Sequence, residues 1–306
     1  MNPLVSVLTL NWNRKEDVRR TLSLILKQTY EPKEILMIDN GSTDGSVESI
    51  QQSFPNVKII NLSENRGVEG YNQGISSASG NILLLIDNDM DLLQEDSLEK
   101  IVNKFESNPK LGVVALQVRE CSNNQLSANN PKYWNEKGND SIGYPCSTFD
   151  GGGVAFRKEV LAKTGSYLPE FFVYHSEVDL STRIWDAGYE IRYFPEIAVC
   201  HRESAVARDL QRQTMYTARN YLWYVWIYYP RNMIFSETFD FLQRSFIQNL
   251  RTHKPIGAWF RGVITALWGW NKIKHLRKPV RQETIEWMQL LRDKDRERKE
   301  NVMREA

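Results

Sequence analysis

Apolar and polar positions alternate in blocks along the first third of the chain. Val5 to Leu10 is a run rich in β-branched and aliphatic residues that stops at the polar cluster Asn11-Trp12-Asn13-Arg14. Such a run predicts a buried strand feeding a loop. From Lys15 to Gln28 the residues Val18, Leu22, Ile25 and Leu26 recur at helical spacing until Glu31-Pro32 ends the pattern. A second strand, Glu34 to Ile38, runs into Asp39-Asn40-Gly41-Ser42-Thr43-Asp44-Gly45-Ser46, dense in turn formers and N-cap residues, before a helix over Val47 to Phe54. A third strand, Val57 to Leu62, leads through Glu64-Asn65-Arg66-Gly67 to a small-residue helix from Gly70 to Ser79, with Gly80 suited to its C-terminal cap. The fourth, Asn81 to Ile86, delivers Asp87-Asn88-Asp89 at its carboxyl end.

Four strand and helix alternations predict an α/β fold with a Rossmann-like, mostly parallel central sheet flanked by helices. Ligands of such sheets bind at the carboxyl edges of the strands. Asn11, Asp39, Asn65-Arg66 and Asp87 to Asp89 all fall at those edges. Beyond them, Ser97 to Phe105 reads as a helix, Gly112 to Arg119 as a strand, and the polar stretch Glu120 to Thr148 as a long loop over one face of the sheet. Asp150-Gly151-Gly152-Gly153 opens a further strand, where glycines permit close backbone approach. Phe171 to Leu180 precedes a helix running to Ala187 and capped by Gly188, and two short extended pieces follow, Glu190 to Tyr193 and Ile197 to Val199. After Val206 the composition turns to helical stretches rich in Trp, Tyr and Arg, which divides the chain into residues 1–205 and a helical C-terminal region, 206–306.

With 41% hydrophobic and 25% charged residues, the 306-residue chain has the balance of a folded globular protein. Its net charge of +1 offers no general basic field for nucleic acid. Three cysteines, Cys121, Cys146 and Cys200, lack zinc or redox spacing and read as idle thiols of a reducing compartment. No basic leader precedes the first strand, and no apolar run reaches the ~18 to 20 residues that cross a bilayer. The expected location is the cytoplasm.

Two carboxylates one residue apart at a strand end can share a divalent cation, or divide the work between a ribose hydroxyl and the metal. An acidic loop that only caps a helix is the plain alternative. Asp91 extends the run toward a calcium EF-hand loop, but Leu92 stands where that loop needs Gly and Leu98 where it needs Glu.

In order along the chain, Val5 to Asn13, Ile38 to Ser46, Asn65-Arg66-Gly67 through Asn72 and Gly74, and Leu84 to Asp89 resemble the successive signatures of family 2 glycosyltransferases. The similarity continues through Asp150 to Gly153, Phe171 to Leu180, Ala187-Gly188-Tyr189 and Val199-Cys200-His201, roughly residues 3 to 205, and is greatest to rhamnosyltransferase-like bacterial enzymes of surface polysaccharide synthesis. The resemblance implies a GT-A fold, inverting transfer from a UDP- or dTDP-linked sugar, and a Mg or Mn ion. It matches Asp39 to the acid that contacts the nucleobase and Asp87 and Asp89 to the outer residues of the D-x-D motif. Asp87 and Asn88 would then face the nucleotide, and Asp89 is the better metal ligand. Asn11 and Arg66 either line the nucleotide or serve only their loops.

The family presents Glu-Asp where this chain reads Ser176-Glu177-Val178-Asp179-Leu180. Glu177 occupies the position of the catalytic base, which takes the acceptor proton during attack on the anomeric carbon. Asp179 is the alternative base, with N-terminal helix capping as its structural role. His201 matches a histidine that can complete the metal shell, or is a plain hydrogen-bonding residue. His175 stands beside the base. The C-terminal aromatics among Arg251, Lys254, Arg261, Lys272 and Arg277 suit a peripheral contact with the inner membrane face, where a polyprenyl-linked or glycan acceptor would lie, or packing on the core or across a homodimer. Residues Gln289 to Ala306, charged with both signs, read as a solvated helix or frayed tail. The competing readings are a sugar-nucleotide-binding protein without catalysis, invited by Ser176-Glu177, and a nucleotidyltransferase, whose Gly-rich phosphate loop is absent from Leu10-Asn11-Trp12-Asn13.

Overall fold

The computed structural model describes residues 2–127, 141–202 and 209–305. Its first half is the alternation expected: β1 (Val5–Asn11), α1 (Lys15–Leu26), β2 (Lys33–Asp39), α2 (Ser46–Ser53), β3 (Lys58–Asn61), α3 (Tyr71–Ser77) and β4 (Ile82–Ile86). These strands pair in parallel in the order β3-β2-β1-β4. Asn11 lies opposite Asp39 and Asp39 opposite Asn61, so the polar strand ends form one edge. Alternate residues of the apolar runs serve opposite faces. Val7 and Leu84 meet α1, whereas Leu8 and Leu85 share a core with Tyr71 and Ile75 of α3. Burial on both sides is why the runs are continuous rather than alternating.

The second half comprises β5 (Met90–Leu92), α4 (Ser97–Ser107), β6 (Leu111–Glu120), β7 (Tyr144–Pro145), β8 (Gly153–Arg157), α5 (Lys158–Thr164), α6 (Ser176–Asp186) and β9 (Glu190–His201). The sheet continues from β4 through β8, β6 and β9 to β5, with β7 also on β9. β6 and β9 keep the direction of the first four strands, and β5, β7 and β8 run against it.

Several local expectations are corrected. Gly80 does not cap α3. Its amide donates to Ser6 Oγ at 2.9 Å, and an added methyl would lie 2.7 Å from the Leu4 carbonyl oxygen, so it permits close backbone approach. The two extended pieces are one strand, β9, whose pairing with β6 slips between Phe194 and Ala198, around Pro195. β5, α5 and β7 stand where no element is expected. Of the Glu120 to Thr148 loop, residues 128–140 lie outside the described residues, as do 203–208, where the boundary at 205 falls.

The reading of idle thiols is also overturned for two of the three. Cys121 and Cys200 form a disulfide with Cα atoms 5.0 Å apart. They are 79 residues apart in sequence, but parallel pairing sets Glu120 opposite His201 and brings the two together. The argument from unpaired thiols to a reducing compartment falls with this pairing. Cys146 is free and buried, and burial pushes its thiol up.

The C-terminal region is α7 (Leu210–Tyr228), α8 (Arg231–Arg251), α9 (Ile256–Trp268), α10 (Trp270–Ile273) and α11 (Gln282–Glu305). Leu222, Tyr224, Val225 and Tyr228 of α7 form a third core with Phe171, Ala266 and Ile285. The final helix packs at its start, where Ile285 and Met288 are buried and Trp287 meets Trp185 of α6 edge to face, and within the stretch expected to be solvated Leu291 is buried too.

Candidate active site

At the β1–β2 edge a short polar chain runs inward from the surface. Asn11 Nδ2 donates to Asp39 Oδ1 at 3.0 Å, and Asp39 also accepts from the Ser42 amide and hydroxyl, both at 2.7 Å. Asn88 Nδ2 donates to Asn11 Oδ1 at 2.9 Å. Asn11, Asp39 and Asn88 are thus one buried network that ties the ends of β1, β2 and β4.

Asp87 and Asp89 leave the end of β4 in a turn closed by the Met90 amide on the Asp87 carbonyl at 3.1 Å. Tyr71 Oη donates to Asp87 Oδ1 at 2.9 Å. Burial, then the charge of Asp89, pushes the Asp87 carboxyl up to about 7, and the Tyr71 hydrogen bond offsets only part of this. Burial acts on Asp89 in the same sense, but His201 and Arg14 outweigh it and hold that carboxyl below its ordinary range. Arg14 is ion-paired to Asp89 Oδ2, and His201 Nε2 lies 3.4 Å from the same oxygen. β5 makes this possible, because its pairing with β9 sets Met90 opposite His201.

The loop before α6 is strained. Phe172, Tyr174 and His175 all have positive φ, at 60°, 63° and 65°, a region unfavourable for bulky residues. Asn220 of α7 holds it: Nδ2 lies 2.9, 2.7 and 2.8 Å from the carbonyl oxygens of Phe171, Val173 and Tyr174. From the other side the Val68 amide donates to the Phe172 carbonyl at 2.9 Å. Gly67, at φ 62°, is required there, since an added methyl would overlap that carbonyl. His175 is the N-cap residue of α6, and burial followed by the charge of Arg292 lowers its imidazole to about 4, so it is neutral at pH 7.

Glu177 and Asp179, two residues apart on α6, meet different surroundings. Glu177 is half-buried beside the Gly151-Gly152 ribbon, and a methyl at Gly151 would lie 2.7 Å from its Oε1. On the same ribbon the corresponding position at Gly152 is 3.4 Å from Asp87 Oδ2 and 3.5 Å from Asp150 Oδ1. Burial pushes the Glu177 carboxyl up to about 7, with Asp150 and Asp179 adding to the effect. Asp179 is fully buried; Oδ2 accepts from Arg183 Nη2 and Oδ1 from Tyr228 Oη, both at 2.5 Å. Its contacts join α6 to α7 rather than cap α6.

A cleft of about 300 Å³ lies over this edge, lined by Asn11, Arg14, Asn65, Asp87 to Asp89, Phe172 to Tyr174, His201 and Arg212. Asp39 sits one layer behind Asn11, and Arg66 turns toward Glu64, 4.0 Å away, with Asn65 and Gly67 lining the cleft in its place. Two charged residues of the cleft were not singled out from sequence: Arg14 and Arg212. Arg212 comes from the first turn of α7 and stacks over Phe172 and Tyr216. Only the run of polar residues after β1 hinted at Arg14, and no local pattern marks Arg212. Asp89 Oδ2 and His201 Nε2, 3.4 Å apart, are a carboxylate and an imidazole of the kind that bind a divalent cation, with Arg14 now on the same oxygen.

Curated relatives include the poly-beta-1,6-N-acetyl-D-glucosamine synthases of Staphylococcus epidermidis and Staphylococcus aureus (strain COL). They are 29% and 28% identical over 205 residues, covering 64% of this chain and 49% of theirs. The chain thus spans about half the length of the curated relatives it matches. Among solved structures, the mannosyltransferase PcManGT from Pyrobaculum calidifontis, in complex with GDP-Man and Mn2+, aligns with a TM-score of 0.58 at 17% identity over 96% of this chain and 85% of that one. GalNAc-T7 with UDP, GalNAc and Mn2+ aligns with 0.61 at 16% identity over 75% and 48%. The fold is GT-A. The family model "Glycosyl transferase family 2" covers residues 6–165, from the second residue of β1 to the glycine after α5. With the polar ends of β1, β2 and β4 and more than half of its length inside that match, the chain belongs to glycosyl transferase family 2.

Proposed function

We propose that the protein is an inverting transferase that passes a sugar from a nucleotide diphosphate to a hydroxyl of a surface glycan or lipid-linked acceptor. The observation that carries this is the placement of Glu177: a half-buried carboxylate with its acidity shifted to about 7, across a two-glycine ribbon from Asp87. In this reading Glu177 takes the proton of the acceptor hydroxyl, and the oxygen attacks the anomeric carbon. The bond to the diphosphate breaks on the opposite face, with its electron pair leaving on the phosphate oxygen. Asn11, Asp39 and Asn88 shape the nucleoside end. Arg14 and Arg212 supply positive charge near the diphosphate. A Mg or Mn ion held by Asp89 and His201 would add electrostatic stabilisation of the leaving group, with Asp87 facing the nucleotide.

The UDP in the GalNAc-T7 complex supports UDP over dTDP as the nucleotide, and the GDP-Man in that of PcManGT supports neither. The name of the synthase relatives favours an N-acetylated hexosamine over a deoxyhexose such as rhamnose. The test is nucleotide release by the purified chain with UDP- and dTDP-sugars, Mn or Mg, and glycan or polyprenyl-linked acceptors. Release from a UDP-sugar that depends on both acceptor and metal is expected. Donor binding without release under every acceptor would leave a sugar-nucleotide-binding protein, and no donor binding at all would sink both readings.

A further inference from the structure

Between Arg251 and Arg281 the sequence holds eight lysines and arginines and no aspartate or glutamate, in a chain whose net charge is +1. Inside this stretch α9 carries one charged residue, Arg261, and is apolar on two sides. Its inner side, Ala258, Trp259, Gly262 and Ala266, is buried. A methyl at Gly262 would lie 2.5 Å from the Met215 carbonyl oxygen, so α9 sits directly on α7. Its outer side, Phe260, Ile264, Leu267 and Trp268, follows the i, i+4, i+7, i+8 spacing of one helical face. Those residues are exposed by 49%, 43%, 59% and 81%. The neighbouring α8, whose Phe246 packs on Trp259 and Phe260, exposes Phe235 and Phe239 as well.

Burying that outer face would be favourable, and its dimensions decide how. At ~1.5 Å per residue α9 is about 20 Å long, short of the ~30 Å hydrocarbon core. No helix among the described residues is long and apolar enough to cross a membrane. A short apolar face with Trp and Phe, bracketed by cations, fits the plane of a bilayer surface, rings at the acyl boundary and Lys and Arg at the phosphates. A second copy is the other candidate to cover it. In a two-fold dimer the same patch meets itself, which would set the cations around α9 against their own kind.

We infer that α9 docks the protein on a bilayer containing anionic lipid, lying in the interface on its Phe260, Ile264, Leu267 and Trp268 face with Lys272, Lys274 and Lys278 toward the headgroups. Because α9 packs along α7, whose first turn carries Arg212 into the cleft, docking holds the donor cleft close to the bilayer. That last consequence rests on the transferase reading; the docking does not.

The experiment is flotation of the purified chain with vesicles of phosphatidylcholine alone or with about 30% phosphatidylglycerol. We expect association with the anionic vesicles that weakens as salt is added. Lys272→Gln/Lys274→Gln/Lys278→Gln should weaken it roughly 100-fold. Leu267→Ser/Trp268→Ser, at exposed positions, should weaken it by at least roughly tenfold. Both variants should keep the parent's thermal melting. Equal partitioning onto both vesicle types, or undiminished binding by either variant, would overturn the inference. So would a dimer in solution that Leu267→Ser/Trp268→Ser converts to a monomer. Donor affinity measured without vesicles reads the transferase proposal separately, so its failure and this one are distinguishable.

Discussion

At the β1–β2–β4 edge Asp39 is answered by Ser42 and Asn11 and Asp89 by Arg14 and His201, whereas Asp87 of the same edge faces the Gly151-Gly152 ribbon. Across the Gly151-Gly152 ribbon, Glu177 and Asp87 lie among other acids, Asp150 included, and both carboxyls are pushed up to about 7, chiefly by burial. The first arrangement keeps a fixed charge and a fixed shape; the second holds groups able to exchange a proton near neutral pH. The same contrast recurs within α6. Asp179 spends both oxygens on Arg183 and Tyr228, while Glu177, two residues earlier, faces the ribbon. Position in sequence therefore says less about a carboxylate's task than the groups that meet it.

The strongest way to break this comparison is to remove the exchangeable proton. Glu177→Gln is expected to lower turnover by roughly 10²- to 10⁴-fold while donor affinity by calorimetry stays within about twofold. Equal loss of both would erase the difference between the two ends. Next comes Asp179→Ala, which leaves Arg183 facing an empty site and is expected to cost about 3 to 5 kcal/mol in urea unfolding. If Asp179→Asn instead abolished turnover at unchanged stability, the base would be Asp179.

Asn220→Leu should have a smaller effect, about 1 to 3 kcal/mol, because the Val173 and Tyr174 carbonyls lose the Asn220 amide while the Phe171 carbonyl keeps the Val173 amide and Arg219. It is expected to lower kcat more than it raises donor KM, since the loop presents α6 rather than β1; the reverse split would detach Asn220 from Glu177. The smallest effect is one of linkage. The Glu177 carboxyl is raised from its ordinary 4.5 to about 7 in the fold, so its contribution to stability is fully present below 4.5 and is lost as pH rises through about 7. Glu177→Gln should therefore melt higher than the parent above pH 7 and match it below pH 4.5. A difference in Tm independent of pH would show that the carboxyl is not shifted as described.

The first half of the fold was legible because β1, β2 and β4 are continuous apolar runs ending in polar clusters, so strand, edge and Asp87 to Asp89 could be placed from local sequence. What escaped depends on contacts far apart in the chain. β5 is three residues long and exists through its pairing with β9, and that pairing brings His201 to Asp89. Cys121 and Cys200 meet only because β6 and β9 run side by side. The left-handed residues Phe172, Tyr174 and His175 are not types that announce such a backbone, and Asn220 is one buried amide in an aromatic helix. Arg212 reaches the cleft from beyond the boundary that composition suggested.

For anyone recombining such enzymes, Asn220 sets the smallest portable unit. A chimera joined at residue 206 would exchange α7 for a foreign helix and leave the Val173 and Tyr174 carbonyls without the Asn220 amide. The graft would inherit the β1–β2–β4 edge intact and lose the clasp that holds the loop before α6. A junction placed after Tyr228 carries both, and leaves only the packing of Ala266 and Ile285 on α7 to be matched by the incoming helices.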